Sequence, residues 1–138
     1  YEGFGSSLDK ARSAIEAMRL HFPDRKLAVV FEPHTFSWRS RASTAWYADV
    51  FAGCDLVAVL PPPTHGAVPE DQLSQEEIAA LIRRTYGSRL SVLTPSLADW
   101  GPTVMLGLDD RWTVLALSSG SLGGGLPAFA KALDRKFA

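Results

Sequence analysis

Short apolar runs alternate along the chain with segments whose apolar residues recur every three or four positions. The runs are Leu27–Phe31, Leu56–Leu60, Leu90–Leu93 and Trp112–Leu117. Strands that are buried on both faces have this unbroken apolar character, because helices cover each side of a parallel sheet. The alternation of such strands with helices predicts an α/β domain with a mostly parallel sheet and helices on both faces.

The predicted helices have recognisable start and stop residues. Helices are predicted after Ser6 and Ser7, over Ser43–Phe51, after Ser74, from Pro102, and through Phe129 and Leu133. Serine is a favoured N-cap residue, and Ser74 with Glu77 has the spacing of a capping box. Pro23 ends the first helix and Gly53 ends the second, since proline cannot continue a helix and glycine tolerates the turn that follows one.

Composition then narrows the class of protein. The chain has 138 residues, which fits one domain. Fourteen basic and fifteen acidic residues give a net charge of −1, so the main electrostatic argument for a nucleic-acid partner is missing. The single cysteine, Cys54, fits a reducing, cytoplasmic compartment, and no apolar run approaches the ~18–20 residues that span a membrane. Because the chain starts at Tyr1 with no signal-peptide pattern, we interpret it as a fragment of a longer polypeptide.

Ligands of open α/β sheets bind beyond the carboxyl ends of the strands, so candidate chemistry is sought in the loops there. The segment from Glu32 to Arg41 follows the first buried strand and carries His34, Thr35, Arg39 and Arg41. Arginine pairs a carboxylate through two parallel hydrogen bonds, so one interpretation is a carboxylate-binding loop. The other interpretation is a solvated helix start in which His34 caps local backbone. Trp38 lies within this loop, and we treat it as an exception to the expectation that the tryptophans are core residues.

A second candidate is the glycine-rich segment after the last strand, from Ser118 to Gly125. Its free N–H groups could receive an anion at Gly120 and Ser121, or its glycines could serve only a tight turn. The chain has no phosphate-binding P-loop and no Gly-x-Ser-x-Gly nucleophile elbow. The three histidines stand far apart and there is no Cys-x-x-Cys, so no metal site is expected.

Four segments carry a resemblance to a known family. They are Tyr1–Ser7, Phe31–Ser37, Phe51–Asp55 and Ser118–Gly124. Phe-Glu-Pro-His, which closes the first buried strand, resembles the Phe-Glu/Gln-Pro-His/Arg of the Mur ligases that act on UDP-N-acetylmuramate. Phe-Ala-Gly-Cys-Asp resembles their Phe-Ala-Gly-Ala-Asp, and Ser-Ser-Gly-Ser-Leu-Gly-Gly resembles the Ser-Asn-Gly-Gly-Phe-Gly-Gly of the murein-peptide branch.

The resemblance implies that residues 1–138 form the Rossmann-like C-terminal domain of an ATP-dependent amide ligase of peptidoglycan synthesis or recycling. In this family a carboxylate of UDP-N-acetylmuramate is converted by ATP into an acyl phosphate, which the incoming amine then attacks. The ATP and magnesium sites belong mainly to a central domain, and the UDP-sugar site belongs to an N-terminal domain. We expect both domains to be absent from this chain, which leaves it with no catalytic residue, cofactor or metal of its own. Its partners would be the amino-acid or peptide substrate and the other domains of the parent, with no nucleic acid and no membrane.

The resemblance also suggests roles for individual residues. It places His34, Thr35, Arg39 and Arg41 in substrate binding, together with Gly120 and Ser121 of the glycine loop. Phe4 and Ser6 would lie near the nucleotide. Two hypotheses therefore stand: the substrate-binding domain of a Mur ligase, and a non-catalytic peptide- or partner-binding module derived from one. Ser6 and Ser7 occupy positions where the family has histidines, which favours the module, whereas the loop from Glu32 to Arg41 favours the ligase.

Overall fold

Strands and helices alternate in the computed structural model, which describes residues 1–3, 7–62, 71–87, 91–93, 108–118 and 126–137. The strands are β1 (Glu2–Gly3), β2 (Lys26–Phe31), β3 (Leu56–Val59), β4 (Ser91–Leu93) and β5 (Trp112–Leu117). The helices are α1 (Leu8–His21), α2 (Phe36–Arg39), α3 (Trp46–Asp49), α4 (Gln75–Tyr86) and α5 (Leu126–Phe137), with a 3₁₀ helix at Arg41–Ser43. None of the helices in these ranges is both long enough and apolar enough to cross a membrane.

The strands form one sheet in the order β1-β5-β2-β3-β4, and every pairing is parallel. The strand that is last in sequence, β5, therefore lies between β1 and β2. Phe31 of β2 is level with Val59 of β3 on one side and with Leu117 of β5 on the other. This register brings the carboxyl ends of the three strands to the same level, and the predicted parallel sheet is confirmed.

Helices cover both faces of the sheet, as the apolar runs predicted. Leu27, Val29 and Phe31 belong to one buried cluster, whereas Ala28 and Val30 belong to another. Alternate residues of a strand point to opposite faces, so the two clusters lie on the two sides of the sheet. The helices α1 and α4 add Ile15, Ile78 and Ile82 to the first cluster, and Leu133 of α5 packs against the second.

The predicted starts of the first and third helices are confirmed. The Ser7 side chain accepts a hydrogen bond from the backbone N–H of Lys10 at the start of α1. At the start of α4, the Ser74 hydroxyl accepts from Glu77 N at 3.1 Å and the Glu77 carboxylate accepts from Ser74 N at 3.3 Å. These reciprocal hydrogen bonds make the capping box that the spacing indicated.

The helix predicted over Ser43–Phe51 is wrong in its extent. The structure has the 3₁₀ helix and then the single turn of α3, and the preceding α2 was not predicted. Tertiary contacts override helical periodicity here, because the Tyr47 hydroxyl donates to the carbonyl of Trp38 at 2.6 Å and ties α3 back to α2. Gly53 follows with φ of 88°, which supports its predicted role in ending this segment.

One further difference is an element that the sequence pattern did not predict. The edge strand β1 was not predicted, because its two residues are too few to show any periodicity; it is held by hydrogen bonds such as Ala116 N to Tyr1 O at 2.8 Å. The helix predicted from Pro102 lies outside the described residues.

Candidate functional site

Two polar side chains meet where β2 and β5 end, beside the end of β3. The residues directly after these strands are Glu32, Leu60 and Ser118, and we call this level of the sheet the carboxyl edge. It is the position at which open α/β sheets bind ligands. Glu32 N donates to Leu117 O at 3.1 Å and Leu60 N donates to Phe31 O at 2.9 Å, so hydrogen bonds continue from strand to strand one residue beyond the strand ends.

Glu32 is the most buried acidic residue of this edge, with 7% of its surface exposed. Its Oε1 accepts a hydrogen bond of 2.8 Å from the Ser118 hydroxyl, and Ser118 N donates in turn to Gly3 O at 3.2 Å. The side chain thereby links the ends of β2, β5 and β1. Glu32 was not among the predicted site residues, although an acidic residue directly after a buried apolar strand was a signal that could have identified it.

A tight turn carries His34 away from Glu32. His34 N donates to Glu32 O at 2.9 Å, with Pro33 between them. Hydrogen bonding between residues two apart defines a γ-turn, and the fixed φ of proline suits the central position of its inverse form. His34 and Thr35 are both half-buried, so the structure places these two predicted residues beside the carboxyl edge and partly open to solvent.

Trp38 is a core residue, which corrects the expectation that it would be an exception among the tryptophans. It is completely buried, and its ring lies 5.1 Å from that of Phe31 and 4.9 Å from that of Trp46, both in edge-to-face geometry. We call the group Phe31, Trp38, Trp46, Tyr47 and Phe51 the aromatic cluster. It anchors the underside of the loop that follows β2.

Arg39 is also buried, with 2% of its surface exposed. Its backbone N–H donates to Thr35 O at 3.3 Å, and its carbonyl accepts from Leu73 N at 2.7 Å. The structure thus places Arg39 inside the loop, between α2 and the segment that leads to α4. These two backbone hydrogen bonds fix the position of Arg39 within the loop.

Arg41 lies at the surface and pairs with Glu77. Its Nη1 and Nη2 donate to the two carboxylate oxygens at 2.5 and 3.0 Å, and Nη2 also reaches Gln72 O at 3.4 Å. The bidentate contact raises the pKa of Arg41 and holds the pKa of the Glu77 carboxyl below its ordinary value, with the hydrogen bond from Ser74 N acting in the same direction. Glu77 therefore serves both the capping box of α4 and the attachment of the loop to that helix.

We expect the Glu77 contacts to give the protein a pH-dependent stability. A carboxyl whose pKa is lowered by folding stabilises the fold above its unfolded pKa of about 4.3, and this contribution is lost as the pH falls through the folded value. Glu77→Gln keeps a side-chain acceptor for the capping box and removes the ion pair. The Tm of wild type should exceed that of Glu77→Gln at pH 7 by a small amount, since the pair is exposed, and the difference should close below about pH 4. Thermal melts between pH 3 and pH 7 measure this difference in Tm. The control is Glu76→Gln, which changes an exposed residue one position away. A difference between wild type and Glu77→Gln that persists at pH 3 would contradict the role given to the ion pair.

The remaining predicted site residues lie outside the described part of the chain. These are Phe4 and Ser6 near the start, and Gly120 and Ser121 of the glycine loop. Ser118, the last described residue before that loop, is buried and donates its hydroxyl to Glu32. The carboxyl edge thus extends up to the start of the glycine loop.

Neither a metal centre nor a reactive thiol is formed by the described residues. No group of three histidine, cysteine, aspartate or glutamate side chains among them could hold a metal ion. Cys54 is buried, and this burial raises the pKa of its thiol to about 12, against a smaller opposing effect of Arg19. A thiol with that pKa is protonated at neutral pH and is a poor nucleophile.

A cavity of about 670 Å³ lies elsewhere, beside the amino-terminal half of β5. Its lining includes Tyr1, Phe22, Trp112 and Leu133. Arg25 also borders the cavity. Its guanidinium donates hydrogen bonds to Thr113 Oγ1 at 2.9 Å and to Asp110 O at 2.7 Å. Convergent polar groups are found at the carboxyl edge instead, so that edge is the candidate site.

A parallel sheet covered by helices on both faces defines a Rossmann-like domain. No protein-family model matches the chain. The chain is 32% identical over 117 residues to the UDP-N-acetylmuramate–L-alanine ligase of Halorhodospira halophila, a match that covers 84% of this chain and 23% of that protein. It is also 32% identical over 82 residues to the same ligase of Desulfosudis oleivorans, covering 59% of this chain and 18% of that protein. The chain therefore spans about a fifth of the length of these curated relatives.

Solved structures give the same result for the fold. A murein peptide ligase from Psychrobacter arcticus superposes with a TM-score of 0.71 at 13% identity, covering 94% of this chain and 26% of that one. A domain of a putative UDP-N-acetylmuramate:L-alanyl-gamma-D-glutamyl-meso-diaminopimelate ligase from Haemophilus ducreyi gives a TM-score of 0.64 at 16% identity, covering 96% and 89% of the two chains. The chain is similar in sequence to Mur ligases and has the Rossmann-like fold of their C-terminal domain, so the predicted resemblance is confirmed.

Proposed function

We propose that this chain is the C-terminal domain of an ATP-dependent Mur ligase and that it binds the incoming amine substrate. The observation that carries the proposal is the 117-residue similarity to an L-alanine-adding ligase. Within that similarity the Phe-Glu-Pro-His segment stands at the carboxyl end of β2, where the fold class binds its ligands. The parent enzyme would join an amino acid or a peptide to UDP-N-acetylmuramate in the cytoplasm.

The proposed reaction divides the work between domains. ATP phosphorylates a carboxylate to give an acyl phosphate and ADP; the amine nitrogen then attacks the acyl carbon, phosphate leaves, and the nitrogen loses a proton. ATP and magnesium would be bound mainly by a central domain of the parent enzyme. The work of this chain is to hold the amine where it can meet the acyl phosphate, and positioning of this kind is a large part of such catalysis.

Several residues are proposed to make the substrate site. His34 and Thr35 are half-buried beside the carboxyl edge, and Arg39 lies beneath them in the same loop. By the family resemblance, Gly120 and Ser121 of the glycine loop are also proposed to bind the substrate, and Phe4 and Ser6 to lie near the nucleotide. The sequence placed Arg41 in this set as well, but the proposed site leaves it out, because its guanidinium is already paired with Glu77.

A second candidate function is a non-catalytic binding module descended from a ligase. It is favoured by one feature, the serines Ser6 and Ser7 at positions where the family has histidines. The module would use the same carboxyl edge to hold a peptide or a partner, without ATP. The two candidates differ in whether the complete reading frame encodes a P-loop upstream.

The test is an assay of the protein produced from the complete reading frame. We expect ADP formation that requires UDP-N-acetylmuramate and either L-alanine or L-alanyl-γ-D-glutamyl-meso-diaminopimelate. The chain described here should show no ATP turnover by itself, since it contains no P-loop. Turnover by the purified chain would contradict the division of roles, and a reading frame without a P-loop would favour the binding module.

A further inference from the structure

Glu32 is a largely buried acidic residue with which no described side chain forms an ion pair. It is 7% exposed, and its one side-chain hydrogen bond comes from the neutral hydroxyl of Ser118. None of the ion pairs among the described residues includes it. A carboxylate can accept about four hydrogen bonds, so Glu32 has acceptor capacity that the described residues do not use.

A charged side chain in such a position is only partly solvated. A carboxylate taken out of water is unfavourable unless it is both hydrogen-bonded and paired with a cation. A link between β2 and β5 could be made by a neutral side chain as well, because a glutamine oxygen accepts a serine hydroxyl equally readily. The hydrogen bond with Ser118 does not require a negative charge, so the charge of Glu32 points to a positively charged ligand group at the carboxyl edge.

An ammonium group fits this environment better than a metal ion does. A divalent cation such as Mg²⁺ keeps several waters when it binds through one or two carboxylates, and a side chain that is only 7% exposed leaves little room for that water shell. An ammonium needs only a few acceptors and one negative charge, and charge-assisted hydrogen bonds to carboxylates are among the strongest that proteins make.

We infer that Glu32, at the carboxyl end of β2, binds the ammonium group of the incoming amine substrate. The inference rests on the proposed function and adds to it a residue that selects the charged amine end of an amino acid or peptide. Glu32 would fix the amine, while the loop through His34 and Arg39 would contact the carboxylate end. The backbone of Glu32 makes two hydrogen bonds: its N–H donates to Leu117 O, and its carbonyl accepts from His34 N. The side chain is therefore attached at a fixed point of the carboxyl edge.

The experiment is a set of NMR titrations of the 138-residue chain with paired probes. The probes are L-alaninamide and L-alanyl-γ-D-glutamyl-meso-diaminopimelate, each compared with a derivative whose amino groups are all acetylated. We expect the wild-type chain to bind each free-amine probe about 10- to 100-fold more tightly than its acetylated derivative, the range for a charged hydrogen bond. In Glu32→Gln, which keeps the acceptor for Ser118, this preference should disappear.

Glu16→Gln is the matched control, since it removes the same charge from an exposed position on α1 and should leave the preference intact. A preference that survives in Glu32→Gln, or that is missing in wild type, would overturn the inference, as would Glu32-dependent binding of Mg²⁺ by the chain alone. If the peptide binds equally well with and without acetylation, the proposed function stands and Glu32 has no ammonium role. If only L-alaninamide shows the Glu32-dependent preference, the site stands and the proposed peptide substrate is wrong.

Discussion

Replacing Trp38 by alanine is expected to lower the free energy of unfolding by about 3–5 kcal/mol, the range for removing a large aromatic side chain from a core. Trp38 is completely buried at the centre of the aromatic cluster, in edge-to-face contact with Phe31, Trp46 and Tyr47. Its removal leaves a cavity under the loop after β2, because the neighbouring rings are attached to separate elements and cannot all move in to fill it. Urea unfolding followed by far-UV circular dichroism measures the change.

Trp112→Ala is the control for this prediction. Trp112 is only half-buried at the start of β5 and stacks against the Lys26 ammonium at 5.4 Å, so its loss should cost clearly less. Trp38→Phe should recover part of the lost stability, since it keeps a ring in the cluster. Equal losses for the two alanine variants would show that the aromatic cluster has no special role in holding the loop.

Replacing Arg39 by methionine in the product of the complete reading frame should raise the peptide KM by about 10- to 100-fold. This corresponds to the 1.5–3 kcal/mol of a charged hydrogen bond to a carboxylate. Methionine keeps most of the volume of the buried stem while removing the planar fork that suits a carboxylate. Steady-state kinetics with varied peptide, at a temperature where both proteins are folded, measures the effect, and the KM for ATP should not change.

Arg41→Met is the matched control for Arg39. Its guanidinium is paired with Glu77 at the surface, so its loss should lower Tm slightly and leave the peptide KM unchanged. If Arg39→Met lowers Tm but leaves the peptide KM unchanged, the buried guanidinium supports the loop and does not bind the substrate.

The fold could be predicted from the sequence wherever local and tertiary preferences agree. The apolar runs that became β2, β3 and β5 are buried on both faces, and Ser74 with Glu77 forms the expected capping box. The stretch from Phe36 to Asp49 could not be predicted in the same way, because its short turns depend on rings that meet only in the folded protein. No local sequence pattern indicates that the Tyr47 hydroxyl will donate a hydrogen bond to the carbonyl of Trp38, or that the segment will break into short turns instead of forming one helix.

The candidate site could be predicted in position but only partly in composition. The loop after the first buried strand was expected at the carboxyl ends of the strands, and that is where His34 and Thr35 lie. The burial of each side chain could not be predicted from the sequence. The sequence shows that Arg39 and Arg41 are near each other, but not that Arg39 is buried and Arg41 is paired on the surface. The position of the Glu32 side chain likewise depends on its hydrogen bond with Ser118, which is 86 residues away in sequence.

The place of β5 in the sheet has a consequence for how the chain is made. Of the described strands this one is synthesised last, yet it sits between β1 and β2 and pairs with both. Until the ribosome has released Trp112–Leu117, the nascent chain has β2 and β3 but leaves one side of β2 without its neighbour. An unpaired apolar strand edge is a template for aggregation, and contacts between distant parts of a chain form slowly. Truncations that stop before β5 should therefore accumulate as insoluble material, and synthesis of this domain should depend on chaperones up to the moment its last strand is inserted.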